Sequence, residues 1–170
     1  MSSDMNAAIM RALAEATKYP EITSPIIGVA NMSLPSNHKR LYLYNRETHK
    51  LIKSYYVSHG VNTAGANKAY AVNFSNKMMS RQSSLGAMIT QEEYVGKHGR
   101  SLKLKGLEKG INDNVRIRHI VIHAADYCTD DFIRRNGRTG CSWGCPAVSP
   151  VCINEIIDML KDGHFFYIFF

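Results

Sequence analysis

The sequence predicts a mostly β fold with flanking helices. Two observations carry this. Between about residues 26 and 125, short runs of strand-forming residues alternate with turn residues, whereas helical periodicity is confined to the two ends of the chain. The 170 residues suit one domain with a real hydrophobic core, and 45% apolar with 21% charged residues is ordinary for a globular protein.

Residues 4–18 read as a helix, with Asp4 as cap and Ile9, Met10, Leu13 and Thr17 near one face. Pro20 and Pro25 bracket a connector, so residues 1–20 form an N-terminal helix ahead of a domain spanning 21–170. Ile26–Ala30 is a short apolar strand. Arg40–Tyr44 and Leu51–Ser58 flank the turn Asn45-Arg46-Glu47-Thr48, so residues 40–58 predict a hairpin. The polar stretch 59–82, rich in Gly and Asn, reads as a long functional loop. Strand candidates follow at Ser84–Ile89 and Ser101–Leu104. His119-Ile120-Val121-Ile122-His123 is nearly continuous in apolar residues and predicts a central strand buried on both faces. Ser149 and Pro150 predict the start of a last helix, with Ile153, Ile156, Ile157 and Leu160 on one face and Gly163 at its end. The apolar run His164–Phe170 is far too short to cross a bilayer and reads as a buried final strand, so no integral membrane segment is expected.

The formal net charge of +7 favours an anionic partner, whether nucleic acid, membrane surface or cell-wall polymer, with a merely solvated basic surface as the alternative. The basic residues are scattered. The densest stretch, Lys97 to Lys109, lacks interleaved aromatics, and no RNA-binding signature is present, so nucleic acid is not expected. No secretion signal is visible in the first 20 residues. Cys128, Cys141, Cys145 and Cys152 do not have zinc-knuckle spacing, and no metal or other cofactor is expected. A site built from Cys141, Cys145 and His123 is the metal-binding alternative.

The informative stretch is Arg138-Thr139-Gly140-Cys141-Ser142-Trp143-Gly144-Cys145-Pro146-Ala147. Cys145 sits between a glycine and a proline, on a tight loop that can aim successive backbone N–H groups at one point. A thiol with an ordinary pKa near 8.5 needs a base at neutral pH. His123 closes an apolar strand, a stiff platform, and the 21 residues between it and Cys145 suffice to bring the two together. Alone, a cysteine is more often a small buried hydrophobe and a strand-end histidine more often structural; together on this loop they follow Cys–His nucleophilic logic.

At these residues the sequence resembles the L,D-transpeptidases: His123, a spacer, then Ser142-Trp143-Gly144-Cys145, matching Ser/Thr-x-Gly-Cys. The similarity is to the murein L,D-transpeptidase catalytic domain branch, a divergent relative of the YkuD type. Further matching stretches are Pro35-Ser36 with Lys39–Tyr42, Val57–Gly60, Phe74–Asn76, Ser83–Gly86, Tyr94–Gly99, Gly106–Glu108 and Asn112–Asn114. The resemblance implies a YkuD-like β-sandwich catalytic domain, exported to the periplasm or another wall-facing side. It implies peptidoglycan stem peptides as substrate, a thioester on Cys145, cross-links between diaminopimelate residues, and carbapenem-type β-lactams as ligands. By it Cys145 is the nucleophile, His123 the base and Ser142 a residue that fixes the loop or orients His123. The backbone N–H groups of Trp143, Gly144 and Cys145 are the oxyanion candidates, and by the resemblance Ser84 contacts the stem peptide. His59, at a strand end before Gly60, either reaches the cleft as a substrate contact or serves as a cap or turn residue. Ala147 stands where many relatives carry Arg or Asn, so substrate anchoring falls to Arg138 or Arg118. His98 and His119 are expected to be structural, and Asn112–Asn114 a turn. Cys141 is expected either to pair with Cys128, clamping the loop, or to stay reduced like it. A cysteine hydrolase on the same substrate and a non-catalytic wall-binding module remain the alternatives.

Overall fold

The computed structural model describes residues 2–170. Eight strands follow one order, β3-β2-β1-β8-β4-β5-β6-β7. They are β1 Ile26–Asn31, β2 Leu41–Asn45, β3 Lys50–Tyr55, β4 Gly86–Gly96, β5 Gly99–Gly106, β6 Val121–Ala124, β7 Ala147–Val148 and β8 Phe165–Phe169. Three α-helices flank them: α1 Ser3–Ala16, α2 Asp130–Asn136 and α3 Ile153–Leu160. The expected mostly β fold with flanking helices is the one observed.

The apolar C-terminal run forms the middle of the sheet, not an edge. β8 pairs parallel with β1 and antiparallel with β4. Phe165 and Phe166 are fully buried and point to opposite sides, as alternation along a strand requires. Gly28 lies opposite Phe166 in the register, and a Cβ there would stand 2.5 Å from the phenylalanine ring. The glycine thus makes room for Phe166 and for Leu160 of α3.

One face of the sheet packs on α1. Ala8, Ala12 and Ala16 recur every fourth residue, and these small side chains bring the helix close to Ile27, Val29, Tyr42 and Phe165. Met10, expected on the inner face, is exposed, and Ser2 rather than Asp4 caps the helix. The other face encloses α3, whose Ile153, Ile156, Ile157 and Leu160 are buried as their spacing predicts. Burial of each contributes about 1.5–3 kcal/mol. Ser149 caps only the preceding turn, through the Val151 N–H, so the helix begins at Ile153.

The sheet curls around α3 until its ends meet. Ser58, just past β3, donates its N–H to Ala147 O of β7 at 2.9 Å, and its Oγ accepts the Ala147 N–H at 3.2 Å. Gly60 and Ser142 continue this seam as a parallel bridge. The curl explains β6: its apolar run is buried on both faces, yet it is the seventh strand rather than a central one. β4 and β5 form a single long hairpin that overshoots the two short strands expected there. Helix α2 went unexpected, although Thr129 as cap, acids in its first turn, Arg134 and Arg135 in its last and Gly137 at φ 70° are its ordinary signals.

Because Phe166 anchors the central strand in the core around α3, Phe166→Ala should destabilise the protein by about 3–5 kcal/mol. Urea denaturation followed by circular dichroism measures this loss.

Candidate active site

The Cys145 loop is held from below by a buried cation. Arg40 is fully buried, and no carboxylate meets it. Its Nε and Nη2 donate to Val57 O (3.1 and 2.9 Å), Nη1 donates to Leu34 O (2.6 Å), and Nη2 also faces His59 Nδ1 at 2.8 Å. Since guanidinium can only donate, His59 Nδ1 is the acceptor and the ring is neutral. Burial, then the Arg40 charge, holds His59 down to about 3. His59 is therefore an interior residue and not the substrate contact expected of it. Its carbonyl accepts the Ser142 N–H at 3.0 Å and so supports the loop.

Ser142 ties that loop into a knot. Its Oγ donates to Cys145 O (2.6 Å) and accepts the Gly144 N–H (3.1 Å). Ser142 fixes the loop and makes no bond to His123. Gly144 adopts φ 120°, and a Cβ there would stand 2.7 Å from Gln82 O. Its N–H is taken by Ser142, so it is not the free oxyanion donor expected. Among the described residues no hydrogen bond takes up the N–H of Trp143 or of Cys145, and these remain as donors. Trp143 is 65% exposed, with the Arg81 guanidinium 4.3 Å above its ring.

Cys145 and His123 line one cleft of about 580 Å³. The thiol rests on backbone groups: Val121 N–H donates to Sγ (3.5 Å) and the thiol donates to His119 O (3.6 Å). His119 has φ 54°, a strained conformation for a non-glycine residue that turns its carbonyl toward the thiol. Burial pushes the Cys145 thiol above its ordinary value, while Val121 N–H and the charges of Arg118 and Lys97 pull it back. His123 Nδ1 lies 2.9 Å from Ala124 O. A carbonyl can only accept, so Nδ1 carries the hydrogen and Nε2 is the basic nitrogen. Burial lowers His123, Ala124 O works against this, and His98 and Lys97 lower it further.

The remaining wall holds Tyr94, Lys97, His98, Arg118, His119 and Tyr127. No Asp or Glu is among the cleft's lining residues. His98 stacks on His123 with ring centroids 4.2 Å apart, and both His98 and His119, expected to be structural, line the cleft. Ser84 is buried and accepts from Arg118 Nη1 at 2.7 Å; it positions Arg118 rather than lining the cleft. Arg118 also donates to Ser75 O (2.6 Å), Ser80 Oγ (3.0 Å) and Gln82 O (2.6 Å), which organises the loop beside Trp143. Arg138 donates to Thr139 O and does not line the cleft, so of the two anchoring candidates Arg118 is the one present. Asn112–Asn114 forms the expected turn, with Asn112 Nδ2 donating to Leu85 O and Ala87 O. All four cysteines are free: the Cys128–Cys141 bridge is not formed, and the buried Cys128 thiol donates to Ala147 O. Among the described residues no cluster suited to a metal ion occurs, and no helix is long and apolar enough to cross a membrane.

The family model for the L,D-transpeptidase catalytic domain matches residues 2–169, so the chain belongs to that family. The structure of Bdellovibrio bacteriovorus Bd1075 is similar at a TM-score of 0.51 and 16% identity, covering 89% of this chain and 50% of that one. An L,D-transpeptidase from Mycobacterium smegmatis matches at 0.49 and 12%, covering 85% and 58%. The chain thus spans little more than half the length of these structures, and at such identity the likeness concerns the fold. None of the curated proteins matches the sequence significantly.

Two outcomes follow from the loop and its support. Ser142→Ala removes both bonds of the knot and should slow alkylation of Cys145 by roughly tenfold, read by mass spectrometry, with little change in melting temperature. His59, held neutral in the fold, takes a proton only when unfolded between its ordinary value near 6.5 and about 3, so stability falls as pH drops through that window. His59→Gln should flatten this slope in melting temperature against pH.

Proposed function

We propose that the protein is a cysteine-dependent L,D-transpeptidase acting on peptidoglycan stem peptides. The observation that carries this reading is a cleft free of acidic residues in which Cys145, on the knotted loop, shares a wall with His123 in its basic Nε2 tautomer. The Cys145 thiolate attacks the carbonyl carbon of the amide joining diaminopimelate to the terminal D-residue. The proton taken by His123 passes to the departing amine, the D-residue leaves, and a thioester remains. The side-chain amine of a second diaminopimelate then attacks the thioester, losing its proton to His123, and the thiol is restored. The N–H groups of Trp143 and Cys145 are free to receive the developing oxyanion. Lys97 and Arg118 give the cleft the positive charge that a carboxylate-bearing peptide requires. A wall-facing, exported location follows from this substrate. Carbapenem-type β-lactams, strained acyl donors, should acylate the same thiol.

Incubation with a tetrapeptide-bearing muropeptide and weighing of the products tests the reading. Cross-linked dimer, absent with Cys145→Ser, is expected. Trimmed monomer alone would make the protein a hydrolase. Salt-sensitive wall binding that survives Cys145→Ala, without turnover, would make it a binding module. His123→Ala should slow formation of the acyl-enzyme by roughly 100-fold or more.

A further inference from the structure

The tip of the β4–β5 hairpin reaches the cleft from outside the nucleophile loop and the β6 platform. Its position is fixed by ion pairs just below the tip. Arg100 pairs with Glu93 across the hairpin and with Asp158 of α3 at 2.6 Å, and Lys161 pairs with Glu93 at 2.7 Å. Tyr94 takes the Lys103 ammonium over its ring at 5.1 Å. Beyond them the strands close between Gly96 and Gly99, leaving Lys97 and His98 as the tip. His98 is exposed, so no core contact explains where it lies. Its ring lies nearly parallel to that of His123, at 18° and 4.2 Å between centroids.

We propose that His98 is a positioning residue for His123: its imidazole covers one face of the base, fixes the ring, and sets a second ionisable ring against that face. This rests on the reading of His123 as base to Cys145. Nδ1 is already committed to Ala124 O, so rotation about the ring plane is the freedom the stack removes. Two stacked imidazolium ions at this separation repel strongly. Burial already lowers His123, and the His98 ring and the Lys97 ammonium beside it lower it further. The other charged or titratable groups on the wall are Tyr94, Lys97, Arg118, His119, Tyr127, Cys141 and Cys145. Lys97 and Arg118 are cations, His119 adds a third imidazole, and Tyr127 and the thiols of Cys141 and Cys145, all raised by burial, carry no charge near neutrality. No acidic residue of the cleft holds an imidazolium in place. The hairpin tip therefore keeps His123 in its basic form over a wider pH range.

The His123 ring resonance, assigned by its loss in His123→Ala, would be titrated by NMR in the wild type, His98→Phe and His98→Ala. The acid limb of the acylation rate with the tetrapeptide muropeptide would be recorded beside it. His98→Phe keeps an aromatic face and removes the second ionisable ring. It should move the His123 midpoint and the acid limb up by about half to one pH unit while leaving the plateau rate within about twofold. His98→Ala should show the same shift and a plateau rate lower by about tenfold. A His123 midpoint unmoved in both variants overturns the inference. A shifted midpoint in a protein that shows no acylation supports the stacked pair and overturns the transpeptidase reading instead.

Discussion

The guanidinium of Arg40, buried with only carbonyl oxygens and an imidazole for company, is the interaction on which the site stands. Two of its N–H groups converge on Val57 O, and so fix the strand continuation that runs from Val57 through Gly60. That segment carries His59 O to Ser142, Ser58 to Ala147 and Gly60 to the bridge with Ser142. A carboxylate partner would have neutralised the cation at one point; its carbonyl and imidazole partners spread it over two chain segments, at Leu34 and at Val57–His59. Burial draws Arg40 down to about 9, which still leaves it charged at neutral pH. Removing the guanidinium would leave Leu34 O and Val57 O unsatisfied beneath the Cys145 loop.

Above this support the site separates two tasks. The Ser142 hydroxyl, which knots the loop, and the αL turn at His119 position the thiol without any titratable side chain. The titrating wall groups approach from two other directions, β6 with its preceding turn and the β4–β5 hairpin. Burial raises the Cys145 thiol and lowers the His123 imidazole, so the fold biases each toward its uncharged form.

Local patterns in the sequence carried much of the fold. The β2–β3 hairpin declares itself through strand formers around Asn45, whose Oδ1 does accept the N–H groups of Glu47 and Thr48. The apolar spacing of α3 and the aromatic run of β8 were equally direct. What sequence could not convey is how the sheet curls. A run such as Ile120–His123 is apolar on both faces in a central strand and equally so in a late strand folded over its own core. The motif likewise made Cys145 and His123 legible as a pair lining one cleft. His59 and Ser84 were misjudged because their burial depends on Arg40 and Arg118, far away along the chain. His98 was missed because its partner lies across a hairpin and a sheet. The αL turn at His119 carries no glycine to announce it.

The place of β8 between β1 and β4 has a kinetic consequence. The parallel β1–β8 pair joins Gly28 to Phe166, nearly the full span of the sequence. Closing so long a loop is entropically costly before any contact compensates it, so this pairing forms late and folding is slow. Until then β1–β2–β3 and β4–β5 are two open ladders with exposed edges, and the apolar C-terminal strand is the segment each would recruit. Such an intermediate is prone to pair with copies of itself, and the yield of refolding should fall as protein concentration rises.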